Sequence, residues 1–185
     1  ERAIGAGLGL ITHIYCAQSC FHRRNGPEKH FGVAEIGLLR DELAVELIPD
    51  GKHLTSVMVR LILKCKPLEK IVITTDATAA GLAPGVHKFQ GRDMFVDEWV
   101  AYRPDRQLYA GSILTMIRAV QFMVEQVGVS LQDAIGMATA VPSQLIGVGH
   151  RKGMIESGYD ADLVAFDETF RVHLTMCRGK VAYRA

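Results

Sequence analysis

Three polar side chains follow apolar runs in the first half of the chain: His13 after Leu10-Ile11-Thr12, His53 after Leu43 to Ile48 and a turn, and Asp76 after Ile71 to Thr75. An imidazole ligates a divalent cation through an unprotonated ring nitrogen, and a carboxylate carries a proton to and from water. Singly, neither residue decides the chemistry, since a lone histidine is commonly structural and an aspartate after a strand also caps turns. Their recurrence is the signal. In successive strand–helix units, right-handed crossovers bring the C-terminal strand ends to one rim, and such folds do their chemistry there.

The elements that position these residues follow from the apolar pattern. Leu10 to Tyr15 reads as a first strand, Ala34 to Arg40 as a short helix, and Leu43 to Ile48 as a second strand running into Pro49-Asp50-Gly51-Lys52-His53. Val57, Met58, Leu61, Ile62 and Cys65 recur at helical spacing, Pro67 stops that helix, and Glu69 to Asp76 reads as a strand buried on both faces. Short alternating pieces between Val86 and Gly111 predict hairpins inserted after the third strand. Met116, Ile117, Val120, Met123, Val124 and Val127 mark one face of a helix over 113–127 that Gly128 ends. Ser130 and Asp133 form a cap pair for the next helix, and Pro142 suits the first turn of another. Residues 153–167 feed a strand, and Phe170 to Tyr183 closes a hairpin, so 1–150 and 151–185 read as a strand–helix part and a small β-domain.

Composition excludes several classes. With 185 residues, 49% hydrophobic and 22% charged, and a net charge of +1, the chain has material for one sizeable core and no basic excess for nucleic acid. Apolar runs are broken well short of the ~18 residues a membrane span needs, and no signal-peptide pattern is present. The four cysteines are few and scattered, as in a cytoplasmic protein with reduced thiols. The chain opens at Glu1 without Met and meets a strand almost at once, which reads as the middle of a longer protein.

Other motifs are weaker. Gly5-Ala6-Gly7-Leu8-Gly9 precedes a strand rather than following one, so it is not a dinucleotide fingerprint. His13, Cys16 and Cys20 offer zinc-binding atoms at a spacing foreign to structural zinc sites. Arg23 and Arg24 beside Gly26-Pro27 can clasp a phosphate or carboxylate, or simply form a solvated basic turn.

Five stretches together carry a resemblance: Thr12-His13-Ile14-Tyr15-Cys16-Ala17-Gln18, Asp50-Gly51-Lys52-His53, Thr75-Asp76-Ala77, Ala110 to Met116 and Gly158 to Val164. In order and separation they resemble the N-acetylglucosamine-6-phosphate deacetylases of the amidohydrolase superfamily. The last stretch is common to the superfamily; the others are more specific. The resemblance covers essentially the whole chain but only the C-terminal half of a family member. It implies an α/β fold: the C-terminal part of a metal-dependent (β/α)8 barrel, with a hairpin insertion near 86–110 and part of a small β-sandwich domain.

By the same resemblance, His13 ligates a divalent metal, zinc or iron. Asp76 takes a proton from the water and returns it to the amine. Arg24, across a homodimer interface, and His53 bind the amino-sugar phosphate substrate, while Cys16, Ala17, Tyr109, Ala110 and Gly111 line its pocket. The implied reaction turns N-acetylglucosamine-6-phosphate into glucosamine-6-phosphate and acetate, in the cytoplasm, in amino-sugar metabolism. Two positions depart from the family: Cys16 replaces a usual Asn, removing an amide donor and acceptor, and Gln18 replaces a frequent Met. The Glu and second His of the family's metal site lie upstream of this stretch, so the 185 residues alone are expected to be inactive. A different amide or amino sugar as substrate, or a non-catalytic half-barrel fragment, are the alternatives.

Overall fold

The computed structural model describes residues 2–23, 27–79 and 82–185, with the side chains of residues 22 and 23 outside that description. The first part runs α1 (Arg2–Gly5), β1 (Leu10–Ile11), β2 (His22–Arg23), β3 (Lys29–His30), α2 (Val33–Leu39), β4 (Ala44–Leu47), α3 (Ser56–Cys65) and β5 (Ile71–Ile73). Strands β1, β4 and β5 form a parallel sheet in that order, with Leu10 opposite Ala44 and Val45 opposite Ile71. Parallel neighbours need crossovers, and α2 and α3 supply them. Ala44, Val45, Leu47 and Ile71 are fully buried, in keeping with a sheet covered by helices.

Among the described residues three further sheets are antiparallel, the shortest pairing β2 with β3. Strands β6 (Gly85–Phe89), β7 (Arg92–Val96), β8 (Val100–Tyr102) and β9 (Tyr109–Ser112) pair in sequence over a small core of Ala79, Met94, Val96 and Ala101. The Asp97 carboxylate closes the β7–β8 turn by accepting from the backbone N–H groups of Trp99 at 2.7 Å and Val100 at 2.8 Å. Helix α4 (Met116–Phe122) runs on through a π-type turn at Met123–Val127, and Gly128 ends it with φ of 88°. Then come α5 (Leu131–Ala138), α6 (Ala140–Leu145) and a sheet of β10 (Leu163–Phe166), β11 (Val172–Cys177) and β12 (Lys180–Arg184).

The α/β class expected from the sequence holds, with local corrections. The first strand stops at Ile11 instead of reaching Tyr15, because the chain turns through His13 and Tyr15, both at positive φ. The third strand is only Ile71–Ile73, preceded by a 3₁₀ turn at Leu68–Lys70. On α3 the inward face is Val59 and Ile62, while Val57 is 70% and Leu61 50% exposed, so the buried stripe is displaced from the predicted one. The helix predicted from residue 113 starts at Met116, which turns Met116 outward (40% exposed) and Ala119 inward (0%).

Candidate functional site

The parallel sheet places the chain segments after β1, β4 and β5 at one edge. Each leaves its strand through a left-handed residue: His13 (φ 28°) and Tyr15 (φ 69°), Gly51 (φ 76°), and Asp76 (φ 44°). Such conformations are uncommon for residues with a side chain and gather at ligand sites. Backbone bonds tie the three exits together: Ile14 N–H donates to the Glu46 carbonyl at 2.7 Å, and Thr74 N–H to the Leu47 carbonyl at 3.0 Å. Since β4 lies between β1 and β5, His13 and Asp76 flank the turn that carries Asp50 and His53.

After β1, Ile14 is fully buried and anchors the turn, leaving His13 half-buried beside it. Its Nδ1 lies 3.5 Å from Gln18 Nε2, and among the described residues its Nε2 has no hydrogen-bond partner. Cys16 is exposed, and its sulfur's hydrogen-bond contact is the Ile14 carbonyl at 3.8 Å. Desolvation, followed by the carboxylates of Asp50 and Asp76, pushes its thiol up to about 11. Ala17 is exposed in the same turn, and Arg24 lies outside the described residues.

The β4 exit is built by an aspartate that the sequence reading treated only as part of a turn. Asp50 Oδ1 accepts from the backbone N–H of Lys52 at 2.8 Å and of His53 at 2.7 Å, and Oδ2 lies 2.6 Å from His53 Nδ1. Both side chains are buried, 4% and 5% exposed. The carboxylate therefore fixes the imidazole's orientation and satisfies Nδ1, directing its chemistry to Nε2. The ring lies against Tyr109, centroids 4.7 Å apart, and Tyr109 meets Tyr102 edge-on at 5.3 Å. Beside this turn is a cavity of about 470 Å³ lined by Asp50, Gly51, Lys52, Trp99 and Arg118 among others; neither His13 nor Asp76 lines it.

After β5, the Asp76 carboxylate is exposed and has no hydrogen-bond partner among the described residues. Its backbone is clamped instead. The Asp76 carbonyl accepts from Ser112 N–H at 3.0 Å, Ala79 N–H donates to the Ser112 carbonyl at 3.2 Å, and Ser112 Oγ donates to the Thr75 carbonyl at 2.5 Å. Thr78 Oγ1 donates to the Ala110 carbonyl at 2.6 Å. Strand β9 thus returns along the Asp76 segment, bringing Tyr109, Ala110 and Gly111 to it. Ser112, Thr78, Asp50 and Gln18 are the residues that sequence reasoning did not assign; only Asp50 had a local cue, an acid before Gly in a turn.

Among the described residues no group of three or more His, Cys, Asp or Glu could hold a metal ion. His13 fits a cation as a single ligand, because its Nε2 is open, whereas catalytic zinc takes three protein ligands. The His13–Cys16–Cys20 combination forms no such group either.

Residues 21–182 match the amidohydrolase family, and the chain belongs to it. Members of this family are in general metal-dependent. More narrowly, the chain is 35% identical over 182 residues to an N-acetylglucosamine-6-phosphate deacetylase of Bacillus subtilis (strain 168), covering 98% of this chain and 44% of that protein. The crystal structure of N-acetylglucosamine-6-phosphate deacetylase from Thermotoga maritima superposes with a TM-score of 0.88 at 32% identity, over 100% of this chain and 49% of that one. A mutant of the Mycobacterium smegmatis enzyme, in complex with N-acetyl-D-glucosamine-6-phosphate, gives a TM-score of 0.85 at 28% identity, over 97% and 46%. The chain spans about half the length of the relatives it matches.

Proposed function

We propose that the protein carrying this chain hydrolyses the acetamide of N-acetylglucosamine-6-phosphate to acetate and glucosamine-6-phosphate. The observation that carries this reading is the open carboxylate of Asp76, clamped by its backbone at the strand edge that also presents His13 and His53. A divalent metal, zinc or iron, when bound lowers the pKa of water from 15.7 toward about 7, supplying hydroxide at neutral pH. His13 would hold that ion as one ligand through Nε2 and the remaining ligands would come from outside these residues, so the 185 residues alone would be inactive. Asp76 takes a proton from the attacking water and delivers it to the amine nitrogen as the C–N bond breaks.

His53, oriented by Asp50, and Arg24, contributed across a homodimer interface, bind the sugar phosphate. Cys16, Ala17, Tyr109, Ala110 and Gly111 line the sugar pocket. Residues 1–150 are the C-terminal strand–helix units of a (β/α)8 barrel and 151–185 part of a small β-sandwich domain, a division supported by the separate β10–β12 sheet. The enzyme works in the cytoplasm, in keeping with cysteines that are few and scattered. Cys16 favours a second reading, a different amide or amino sugar as substrate, because a thiol lacks the amide's paired donor and acceptor.

The test is Asp76→Asn in the intact protein. Turnover falls by about 10²–10⁴-fold with the fold retained. Near-normal turnover ends the assignment, and a panel of N-acetylated sugar phosphates separates the two substrate readings.

A further inference from the structure

Among the described residues, one buried side-chain polar atom lacks a hydrogen-bond partner: Gln18 Oε1. The other end of the same amide is engaged. Gln18 Nε2 donates to the Thr12 carbonyl at 2.6 Å and lies 3.5 Å from His13 Nδ1. A carbonyl only accepts, so the atom facing Thr12 must be the nitrogen, and the orientation of the amide follows from chemistry.

A primary amide has two N–H groups. With one spent on Thr12, the second is the group available to His13. A ring nitrogen that accepts this N–H keeps its lone pair there, which leaves the neutral ring's proton on Nε2. That tautomer offers a cation no lone pair at the open nitrogen. Turning the amide to bring Oε1 to the ring would reverse the tautomer, but it would set Oε1 against the Thr12 carbonyl, two acceptors face to face, so the orientation present favours the Nε2–H form. The 3.5 Å contact is long for a hydrogen bond, so the ring is not locked into the first arrangement.

We infer that Gln18 is the positioning residue of His13: its carboxamide selects the tautomer of the imidazole and so sets how readily Nε2 takes a divalent cation. The inference rests on His13 as a metal ligand. It also concerns a side chain that the usual Met at this position could not imitate, since a thioether donates nothing.

The experiment uses the intact protein stripped of metal, with ¹⁵N-labelled histidine, at a pH well above the ordinary imidazole range. Two-bond ¹H–¹⁵N correlations read the His13 tautomer in wild type, Gln18→Met and Gln18→Glu, and zinc affinity is measured by competition with a chromophoric chelator. Wild type shows the Nε2–H form, and Gln18→Glu, which can only accept, shows Nδ1–H. Gln18→Met, which removes the amide N–H facing Nδ1, binds zinc about 2–10-fold more tightly than wild type, and Gln18→Glu, which accepts from Nδ1–H, binds it more tightly still. If the three proteins share one tautomer and one affinity while His13→Ala loses zinc, Gln18 is merely structural and the inference is overturned. If His13→Ala retains zinc, the ligand reading itself fails.

Discussion

Gly111 offers a quantitative check on how closely the inserted sheet approaches Asp76. Its φ is +101°, and a Cβ built there would lie 2.6 Å from Thr78 Cγ2 and Oγ1 and 2.7 Å from the Asp76 carbonyl oxygen. Thr78 cannot simply rotate away, because its hydroxyl holds the Ala110 carbonyl at 2.6 Å. Two costs follow for Gly111→Ala. Left-handed backbone with a side chain costs about 1–2 kcal/mol, and forcing a methyl group into filled space about 1–3 kcal/mol, for a total of roughly 2–5 kcal/mol. Gly128 is the control: its φ is +88°, but a Cβ there meets nothing within 4 Å. Gly128→Ala therefore carries only the first cost, about 1–2 kcal/mol. Urea titration of the intact protein reads both as shifts of the midpoint at constant slope. Because the clash involves the Asp76 peptide, Gly111→Ala also lowers turnover, by up to ~10²-fold for a displacement near 1 Å. Equal midpoints for the two variants would refute the close approach.

Asp50 and Cys16 give two further predictions. Asp50→Asn keeps an acceptor for the Lys52 and His53 backbone N–H groups but places an amide against His53 Nδ1. A charge-assisted hydrogen bond is worth about 1.5–3 kcal/mol, so KM for the proposed sugar-phosphate substrate rises by roughly 10–150-fold, and a KM within twofold of wild type contradicts the role. With its thiol pushed from 9.0 to about 11, Cys16 at pH 8 carries ~100-fold less thiolate than an ordinary cysteine. The higher intrinsic nucleophilicity of that thiolate returns about eightfold. Alkylation by iodoacetamide is then roughly tenfold slower than for an unperturbed thiol, and its rate keeps climbing from pH 9 towards 11. Asp76→Asn removes one of the carboxylates behind the shift and speeds the reaction; an unchanged rate places Asp76 away from Cys16.

What the sequence made legible was what local pattern encodes. The Ser130–Asp133 pair is a real cap, with Ser130 Oγ accepting from Asp133 N–H at 3.1 Å, and Thr55 accepts similarly from Met58 N–H at 3.4 Å. The apolar runs of β4 and β5, broken only by Glu46, lie in a buried parallel sheet, where near-continuous Val, Ile and Leu are expected. Contacts between distant segments were not legible. Which face of α3 is inward depends on the partner it packs against, and apolar residues at 57, 58, 61 and 62 admit either neighbouring stripe. Likewise no local signal announces that Ser112 pairs with Asp76, since the bond closes a 36-residue loop through the insertion.

His13 and Asp76 are not positioned by a bond between their side chains; each is positioned by the backbone of a different strand exit. The chain of references runs from Ile14 to Glu46, from Thr74 to Leu47 and from Ser112 to Asp76. A side-chain substitution at the rim therefore leaves the backbone of the three strand exits in place. A slip of β5 by one residue against β4 would instead turn every side chain of that strand to the other face. The buried Ile71 and Ile73 and the paired Leu47–Ile73 and Val45–Ile71 positions resist such a slip. The precision of the rim is accordingly set by the apolar core beneath it, and the few polar groups above, Asp50 for His53 and Gln18 for His13, are left only to aim the rings.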